Sequence, residues 1–152
     1  MGSALPLSGT DWEISTETER LDRKMIHAFL SGSYWASGIP QDLVDRSIDN
    51  SFCFGVYDQG RQIAFARVIT DFATFGYLAD VFVVETHRGR GIGKKLIGEI
   101  LNHPKLKPMR RIMLATLDAH KLYAPFGFTE LTHPERFMQI RRPDPYGKPT
   151  AN

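Results

Sequence analysis

A glycine-rich turn between an apolar strand and an amphipathic helix carries the strongest chemical signal in this 152-residue chain. The apolar run ends at Glu85, and glycines then occupy alternate positions at Gly89, Gly91 and Gly93. Glycine lets a ligand approach the backbone closely, and the free amides of a helix N-terminus suit phosphate oxygens. Basic side chains surround the same turn, namely Arg88, Arg90, Lys94 and Lys95. The pattern therefore predicts a binding site for a phosphorylated cofactor.

The spacing of these residues excludes two common phosphate-binding motifs. A P-loop reads Gly-x-x-x-x-Gly-Lys-Ser/Thr, but Arg88 stands at its first glycine and Lys95 at its hydroxyl residue. A dinucleotide-binding fingerprint reads Gly-x-Gly-x-x-Gly, but Lys94 stands at its third glycine. The arrangement that fits is Arg-x-x-Gly-x-Gly, which residues 88–93 spell in full.

Residues 88–93 resemble the pyrophosphate loop of the GCN5-related N-acetyltransferase (GNAT) family, which binds the pyrophosphate of coenzyme A. A second stretch, residues 122–128, is similar to the family's Tyr-x-x-x-Gly-Phe element, in which a short helix carries the tyrosine. The resemblance extends from about residue 52 to residue 130. A purely structural glycine turn is the alternative, but two family-like elements in the right order favour the family.

Length and composition indicate one globular domain. A chain of 152 residues can bury one substantial core, and 42% hydrophobic with 24% charged residues is ordinary for a soluble protein. We expect a single domain over residues 1–142 and a loose tail over 143–152, where prolines and polar residues dominate. No apolar run approaches the ~20 residues that span a bilayer, and the N-terminus lacks the pattern of a secretory signal.

Cysteine count and charge limit the compartment and the partners. Cys53 is the single cysteine, which excludes an intrachain disulfide and indicates a reducing compartment, most simply the cytoplasm. The formal net charge of +2 is too small to indicate nucleic-acid binding. We therefore expect neither nucleic acid nor a membrane as a partner, and the sequence leaves monomer and homodimer both open.

Hydrophobic periodicity predicts the elements that must position the glycine turn. Helices are expected over residues 18–31, from Pro40 onwards, over 91–102 and around Tyr123. Strands are expected over 52–57, 62–70, 77–84, 112–117 and 137–140, with turns at 58–61 and within 71–76. This order predicts a mixed, mostly antiparallel α/β sheet flanked by helices. The resemblance implies that the sheet splays beside the glycine-turn strand and that the cofactor's pantetheine arm occupies the gap.

The resemblance also implies which residues hold acetyl-CoA. The pyrophosphate would lie on the residues of the glycine turn, namely Arg88, Gly89, Arg90, Gly91, Ile92, Gly93 and Lys94. Pantetheine and the acetyl carbonyl would lie along the main chain of the preceding strand, at Val81, Phe82 and Val83. An ordinary buried strand is the alternative for these three residues. Both interpretations can hold together, because the backbone can face a ligand while the side chains face the core.

Three residues are candidates for proton transfer. By resemblance, Tyr123 is the general acid, and an ordinary tyrosine pKa of ~10 keeps its phenol protonated at neutral pH. The alternative is an aromatic ring that only packs the helix. Asp80 is the candidate base, but it could equally cap a hairpin or pair with a basic residue. His120 lies three residues before Tyr123 and is a candidate base or cofactor contact, or a solvated side chain.

Tyr34 and Trp35 lie between the two N-terminal helices, in a segment that often lines the acceptor pocket of this family. An aromatic pair can bind an amine by cation–π attraction, or it can close the core under a loop. The histidines lack metal-ligand spacing, so we expect no metal site. The leading hypothesis is direct, acetyl-CoA-dependent acetylation of a primary amine on a small molecule or peptide. The alternative is a catalytically silent acyl-CoA-binding sensor.

Overall fold

A mixed sheet of six strands organises the computed structural model, which describes residues 4–6 and 12–146. The strands lie side by side in chain order, antiparallel from the first to the fifth, and the sixth runs parallel to the fifth. Their bounds are β1 (Ala4–Pro6), β2 (Trp12–Ser15), β3 (Phe52–Asp58), β4 (Arg61–Thr70), β5 (Phe75–Val83) and β6 (Arg111–Met113). The predicted fold class, a mostly antiparallel α/β sheet flanked by helices, is confirmed.

Helices cover both faces of this sheet. Within the described residues, the α-helices are α1 (Arg23–Ser31), α2 (Gln41–Asp49), α3 (Ile92–Asn102) and the single turn α4 (His120–Tyr123). Along β3, Phe54 and Val56 point into the cluster that holds α3, whereas Cys53 points into the cluster that holds α1 and α2. This alternation is the period of two that a strand imposes on its side chains. It gives the protein one apolar core on each face of the sheet.

Local turn chemistry fixes the central meander. The β3–β4 hairpin turns at Gln59 and Gly60, whose φ angles of 50° and 81° are those of a two-residue turn with both central residues left-handed. The β4–β5 turn forms around Asp71, whose carboxylate accepts hydrogen bonds from the amides of Ala73, Thr74 and Phe75. Hydrogen bonds from Thr74 and these amides lower the pKa of Asp71. Both predicted turn regions are confirmed.

The N-terminal part departs from the predicted elements. Residues 18–20 form one 3-10 turn, and the α-helix begins only at Arg23, because Leu21 is extended and the Asp22 carboxylate caps the helix by accepting from Met25 N. The prediction of one helix over 18–31 is therefore wrong in its first turn. The sequence analysis also missed β2, a strand of four residues that is too short for periodicity to identify.

The C-terminal part also differs. β6 ends at Met113, so the strand predicted over 112–117 is shorter than expected. No strand forms over 137–140, and the side chains of Met138 and Ile140 are 97% and 86% exposed. The apolar alternation there has no neighbouring strand to pair with, and a strand needs such a partner to satisfy its backbone. Of the tail predicted over 143–152, residues 147–152 lie outside the described part of the chain.

Tyr57 offers a test of stability within the core. Its ring is buried over Gly55, and no described group hydrogen-bonds to its hydroxyl. We expect Tyr57→Phe to raise the free energy of unfolding by about 1 kcal/mol, because it removes a buried polar group that lacks a partner. The Arg20 guanidinium, 4.2 Å from the ring centroid, keeps its aromatic contact in the variant.

Urea denaturation of both proteins measures this difference. Tyr77→Phe is the matched control, because the half-buried Tyr77 lines a cavity and the same substitution there should change stability little. A Tyr57→Phe variant less stable than the parent protein would contradict the prediction.

Candidate functional site

A gap opens in the sheet between β5 and β6. β6 pairs with only residues 75–77 of β5, and beyond Tyr77 no described strand lies along that side of β5. The chain after β6 diverges, and a cavity of about 590 Å³ fills the space. It is lined by Tyr34, Trp35, Arg67, Tyr77, Leu78, Ala79, Asp80, Val81, Leu114, Ala115, Thr116, Leu117, Asp118, Ala119 and Tyr123. The gap exposes a strand edge, which is a ready-made set of hydrogen-bonding groups.

The main chain of β5 can serve a ligand in this gap. Val84 N donates to Ile63 O on β4, so the alternation of an antiparallel pair turns the backbone groups of Val83 away from β4. The side chain of Phe82 is buried in the core that holds α1 and α2, where it stacks on Phe29 with ring centroids 3.9 Å apart. Of the three predicted strand residues, Val81 lines the cavity, whereas Phe82 and Val83 do not, and the backbone of Phe82 pairs with Phe65 on β4.

The glycine turn has the open backbone that its sequence predicts. Gly89 and Gly91 are left-handed, with φ angles of 77° and 82°, and a Cβ built at either residue or at Gly93 meets nothing within 4 Å. α3 starts at Ile92, whose side chain is buried, so this residue can offer only its amide. The amides of the first helical turn have no acceptor inside the helix. They form a cradle for an anion at the positive end of α3.

Two contacts anchor the start of this turn. Arg88 Nε donates to Val83 O over 3.0 Å, which ties the turn to the end of β5. His87 Nε2 lies 2.9 Å from Asp58 Oδ2, which ties it to the β3–β4 hairpin. The side chains of Arg90 and Lys94 are exposed beside the cradle. The positive charge predicted from the sequence is therefore available to a bound anion.

Tyr123 lies in the cavity with its phenol unpaired. Its side chain is 8% exposed, and none of the described residues hydrogen-bonds to its hydroxyl. Burial, with a smaller contribution from Tyr34, raises the pKa of Tyr123 above the ordinary tyrosine value. Phe128 packs against the ring, with centroids 5.7 Å apart. A buried phenol that keeps its proton and has no partner is suited to donate that proton to a ligand in the gap.

Asp80 lies in the same cavity, but both of its carboxylate oxygens already accept hydrogen bonds. Oδ2 accepts from Arg67 Nε at 2.6 Å, and Oδ1 accepts from Trp35 Nε1 at 2.8 Å. Pairing with a basic residue was one of the alternatives considered from the sequence. The sequence analysis missed Arg67, although a lone cation within the apolar residues of β4 was a signal that could have identified it.

Tyr34 and Trp35 bridge the mouth of the gap. The Tyr34 hydroxyl accepts from Leu117 N at 3.3 Å, on the chain that leaves β6, while Trp35 reaches Asp80 on β5. The two rings meet edge to face with centroids 5.1 Å apart. The pair therefore lines the cavity rather than closing the core under a loop.

The structure brings together only part of the predicted site. Tyr34, Trp35, Asp80, Val81 and Tyr123 line one cavity, whereas the glycine turn lies beyond the end of β5 and outside its lining. His120, the first residue of α4, is exposed and does not line the cavity. Sequence reasoning did not identify Tyr77 or the residues 114–119 as lining residues, because their position depends on where β5 and β6 part.

No three His, Cys, Asp or Glu side chains among residues 4–6 and 12–146 come together in a group that could hold a metal ion. In the same part of the chain, no helix has the length and apolar character needed to cross a membrane.

Comparison with known proteins agrees with the geometry. The family model described as acetyltransferase (GNAT) family matches residues 12–128. A crystal structure of a candidate GNAT acetyltransferase from Xanthomonas campestris pv. campestris superposes with a TM-score of 0.87 at 49% identity, covering 90% of this chain and 97% of that one.

Two curated relatives share parts of the sequence. A candidate acetyltransferase of Gibberella zeae is 32% identical over 135 residues, which cover 74% of this chain and 76% of the relative. The thialysine N-epsilon-acetyltransferase of Mus musculus is 35% identical over 69 residues, which cover 43% of this chain and 41% of the relative. With its splayed sheet, its glycine turn and a family match over most of its length, the chain belongs to the GNAT acetyltransferase family.

Proposed function

We propose that this protein is an acetyl-CoA-dependent N-acetyltransferase that transfers the acetyl group directly to a primary amine. The observation that carries the proposal is the unpaired, buried phenol of Tyr123 in the gap beside the free edge of β5. A proton donor and an unpaired strand edge then face the same space. Thioester aminolysis needs both, since one part of the ligand must be held while the leaving group receives a proton.

The residues of the chain fit a coenzyme A molecule. The cradle at Gly91, Gly93 and Lys94 suits the pyrophosphate, because its amides are free and a Cβ at either glycine would enter open space. The exposed side chains of Arg88 and Arg90 add charge there. The backbone of Val81 to Val83 suits the pantetheine amides. Acetyl-CoA supplies an activated acyl group when bound, and these residues orient it.

Direct transfer is supported by the positions of the possible nucleophiles. Cys53 is buried in the cluster under α1 and α2, on the face of the sheet opposite α3. Burial raises the pKa of the Cys53 thiol to about 12, so it is not a ready nucleophile. No cysteine or serine lines the gap among the described residues. The described lining therefore offers no thiol or serine hydroxyl as the carrier of a covalent acyl-enzyme, which favours direct transfer.

A primary amine is the acceptor that the cavity suits best. Tyr34 and Trp35 present two aromatic rings to the cavity, and aromatic faces attract ammonium groups. One relative is named a thialysine N-epsilon-acetyltransferase, an activity on a side-chain amine. We propose an amine of a small molecule or peptide, and His120 remains a candidate for proton transfer or cofactor contact at the rim.

The test is an assay with acetyl-CoA and a panel of primary amines that includes lysine analogues, polyamines and peptides. We expect free thiol to appear in proportion to acetylated product with at least one member of the panel. Mass spectrometry of the mixture identifies the product and separates it from simple hydrolysis. Tight cofactor binding with no turnover on any amine would instead support the alternative, a silent acyl-CoA-binding sensor.

Other expectations from the sequence stay proposals of the same kind. We propose a cytoplasmic protein that acts as a monomer or a homodimer, with one domain over residues 1–142 and no nucleic-acid partner. Gel filtration with light scattering measures the oligomeric state, and a gel-shift assay measures nucleic-acid binding.

A further inference from the structure

Asp80 has an unusual backbone at the centre of the site. Its φ angle is 55°, in the left-handed region that non-glycine residues rarely adopt. The β4–β5 register jumps here, so that Asp80 and Val81 together lie opposite the single residue Ala66. A bulge of this kind bends a strand and redirects its side chains. It lies where β5 loses its contact with β6, so it shapes the wall of the cavity.

A chain of hydrogen bonds holds this bulge. The Asp80 carboxylate is 9% exposed and accepts from Arg67 Nε and Trp35 Nε1. Arg67 in turn donates from Nη1 to Ser51 Oγ at 3.1 Å, just before β3 begins. Three separate parts of the chain therefore meet at one carboxylate: the loop between α1 and α2, the strand β4 and the bulge of β5.

The same contacts leave the carboxylate poorly placed to act as a base. Each of its oxygens already accepts a short hydrogen bond from a nitrogen donor, so an incoming amine could use only the lone pairs that these two donors leave free. The hydrogen bond restrains the Trp35 indole more than it restrains the carboxylate, because Trp35 lies on a loop and is 44% exposed. Its bond to Asp80 fixes the angle at which the ring faces the cavity.

We infer that Asp80 is a positioning residue, which holds Trp35 across the acceptor cavity through the Trp35–Asp80–Arg67 hydrogen-bond chain and does not itself take the proton of the amine. The inference rests on the proposed acetyltransfer for its kinetic consequences. Its structural part, the coupling of Trp35 to Asp80, holds whether or not the protein turns over a substrate.

Kinetics of two variants test the inference. Trp35→Phe keeps an aromatic ring without the indole N–H. Asp80→Asn keeps the shape in a residue type that tolerates the left-handed region, but its amide has one oxygen for two donors, and we expect the charged Arg67 guanidinium to take it from the Trp35 indole. We expect each to raise the KM for the amine by about tenfold, the equivalent of one hydrogen bond to a charged group. The affinity for acetyl-CoA and the shape of the kcat–pH profile should not change. The double variant should be no worse than Asp80→Asn alone, because both changes break the same contact.

Asp118→Asn is the matched control. It removes the same charge from the same cavity, but Asp118 is exposed and no described residue hydrogen-bonds to it. Its effect should therefore add to that of Trp35→Phe. A loss of kcat by about 100-fold in Asp80→Asn, with loss of the acidic limb of the profile, would overturn the inference and identify Asp80 as the base.

A second measurement does not need activity. The chain has two tryptophans, and Trp12 is buried whereas Trp35 is partly exposed, so acrylamide quenching reports mainly on Trp35. We expect faster quenching in Asp80→Asn, because the released indole moves into solvent, and no change in Asp118→Asn. Equal quenching of Asp80→Asn and the parent protein would overturn the positioning role. Absence of turnover with the expected quenching would count against the proposed function alone.

Discussion

Replacing Tyr123 by phenylalanine is expected to lower the turnover rate about 100-fold or more, the usual contribution of general acid catalysis. The substitution keeps the ring, its burial and its edge contact with Phe128, and it removes only the hydroxyl. Because no described residue hydrogen-bonds to that hydroxyl, its loss leaves no buried group unpaired. Acetyl-CoA affinity and the melting temperature should therefore stay close to those of the parent protein.

Steady-state assays measure the turnover rate, and calorimetry measures the acetyl-CoA affinity and the melting temperature. Tyr77→Phe is the matched control, because Tyr77 lines the same cavity from β5 and loses the same atom. We expect the control to keep most of its turnover. Normal turnover in a stable Tyr123→Phe variant would remove the acid assignment, and His120 or a water molecule would become the next candidate.

The pH dependence gives a further check on the same residue. Burial raises the pKa of Tyr123, so its phenol stays protonated to a higher pH than the ordinary value of ~10. The active, protonated form is therefore present at neutral pH and is lost only as the pH rises through the raised pKa. An alkaline decline in turnover that begins above ~10 and disappears in Tyr123→Phe is the expected signature.

Substitution of Gly93 by alanine is expected to weaken acetyl-CoA binding by about tenfold or more, equivalent to one lost charge-assisted hydrogen bond. Gly93 is the second residue of α3, and a helical Cβ points towards the N-terminus of its helix, where the anion would lie. A Cβ at this position meets nothing within 4 Å, so the added methyl disturbs no neighbour in the protein. Calorimetric titration with acetyl-CoA measures the change.

Gly98→Ala is the control on the same helix. A Cβ there makes only an ordinary contact of 3.7 Å with Phe126, far along α3 from the cradle. Alanine favours a helix over glycine by up to about 1 kcal/mol, so both variants should be at least as stable as the parent protein. Gly91 is a poorer choice, because its φ of 82° would strain any other residue. Unchanged affinity in folded Gly93→Ala would argue against pyrophosphate binding at this cradle.

The sequence by itself determined the parts of this protein that depend on neighbours along the chain. Glycine permits the left-handed φ angles of Gly89 and Gly91, and the 58–61 turn follows from a Gly beside a residue that tolerates positive φ. The buried stripe of α3 follows from apolar side chains at helical spacing. The family could also be inferred from two short motifs, because each motif consists of residues that are close neighbours along the chain.

Tertiary structure alone decided what depends on pairing between distant segments. The gap exists because β6 meets β5 at only three register positions, and no local pattern encodes where two parallel strands part. The 137–140 stretch alternates like a strand but has no neighbour to pair with, so its backbone gains nothing from extension.

The contacts of the cavity show the same limit. Trp35 meets Asp80 across 45 positions of sequence, and Tyr34 meets Leu117 across 83. Periodicity can say that a residue is polar or aromatic, but not which distant group it will bind. Only the folded sheet, with its bulge at Asp80, brings Arg67 and Trp35 to one carboxylate, because hydrogen bonds depend on positions in space to within a few tenths of an ångström.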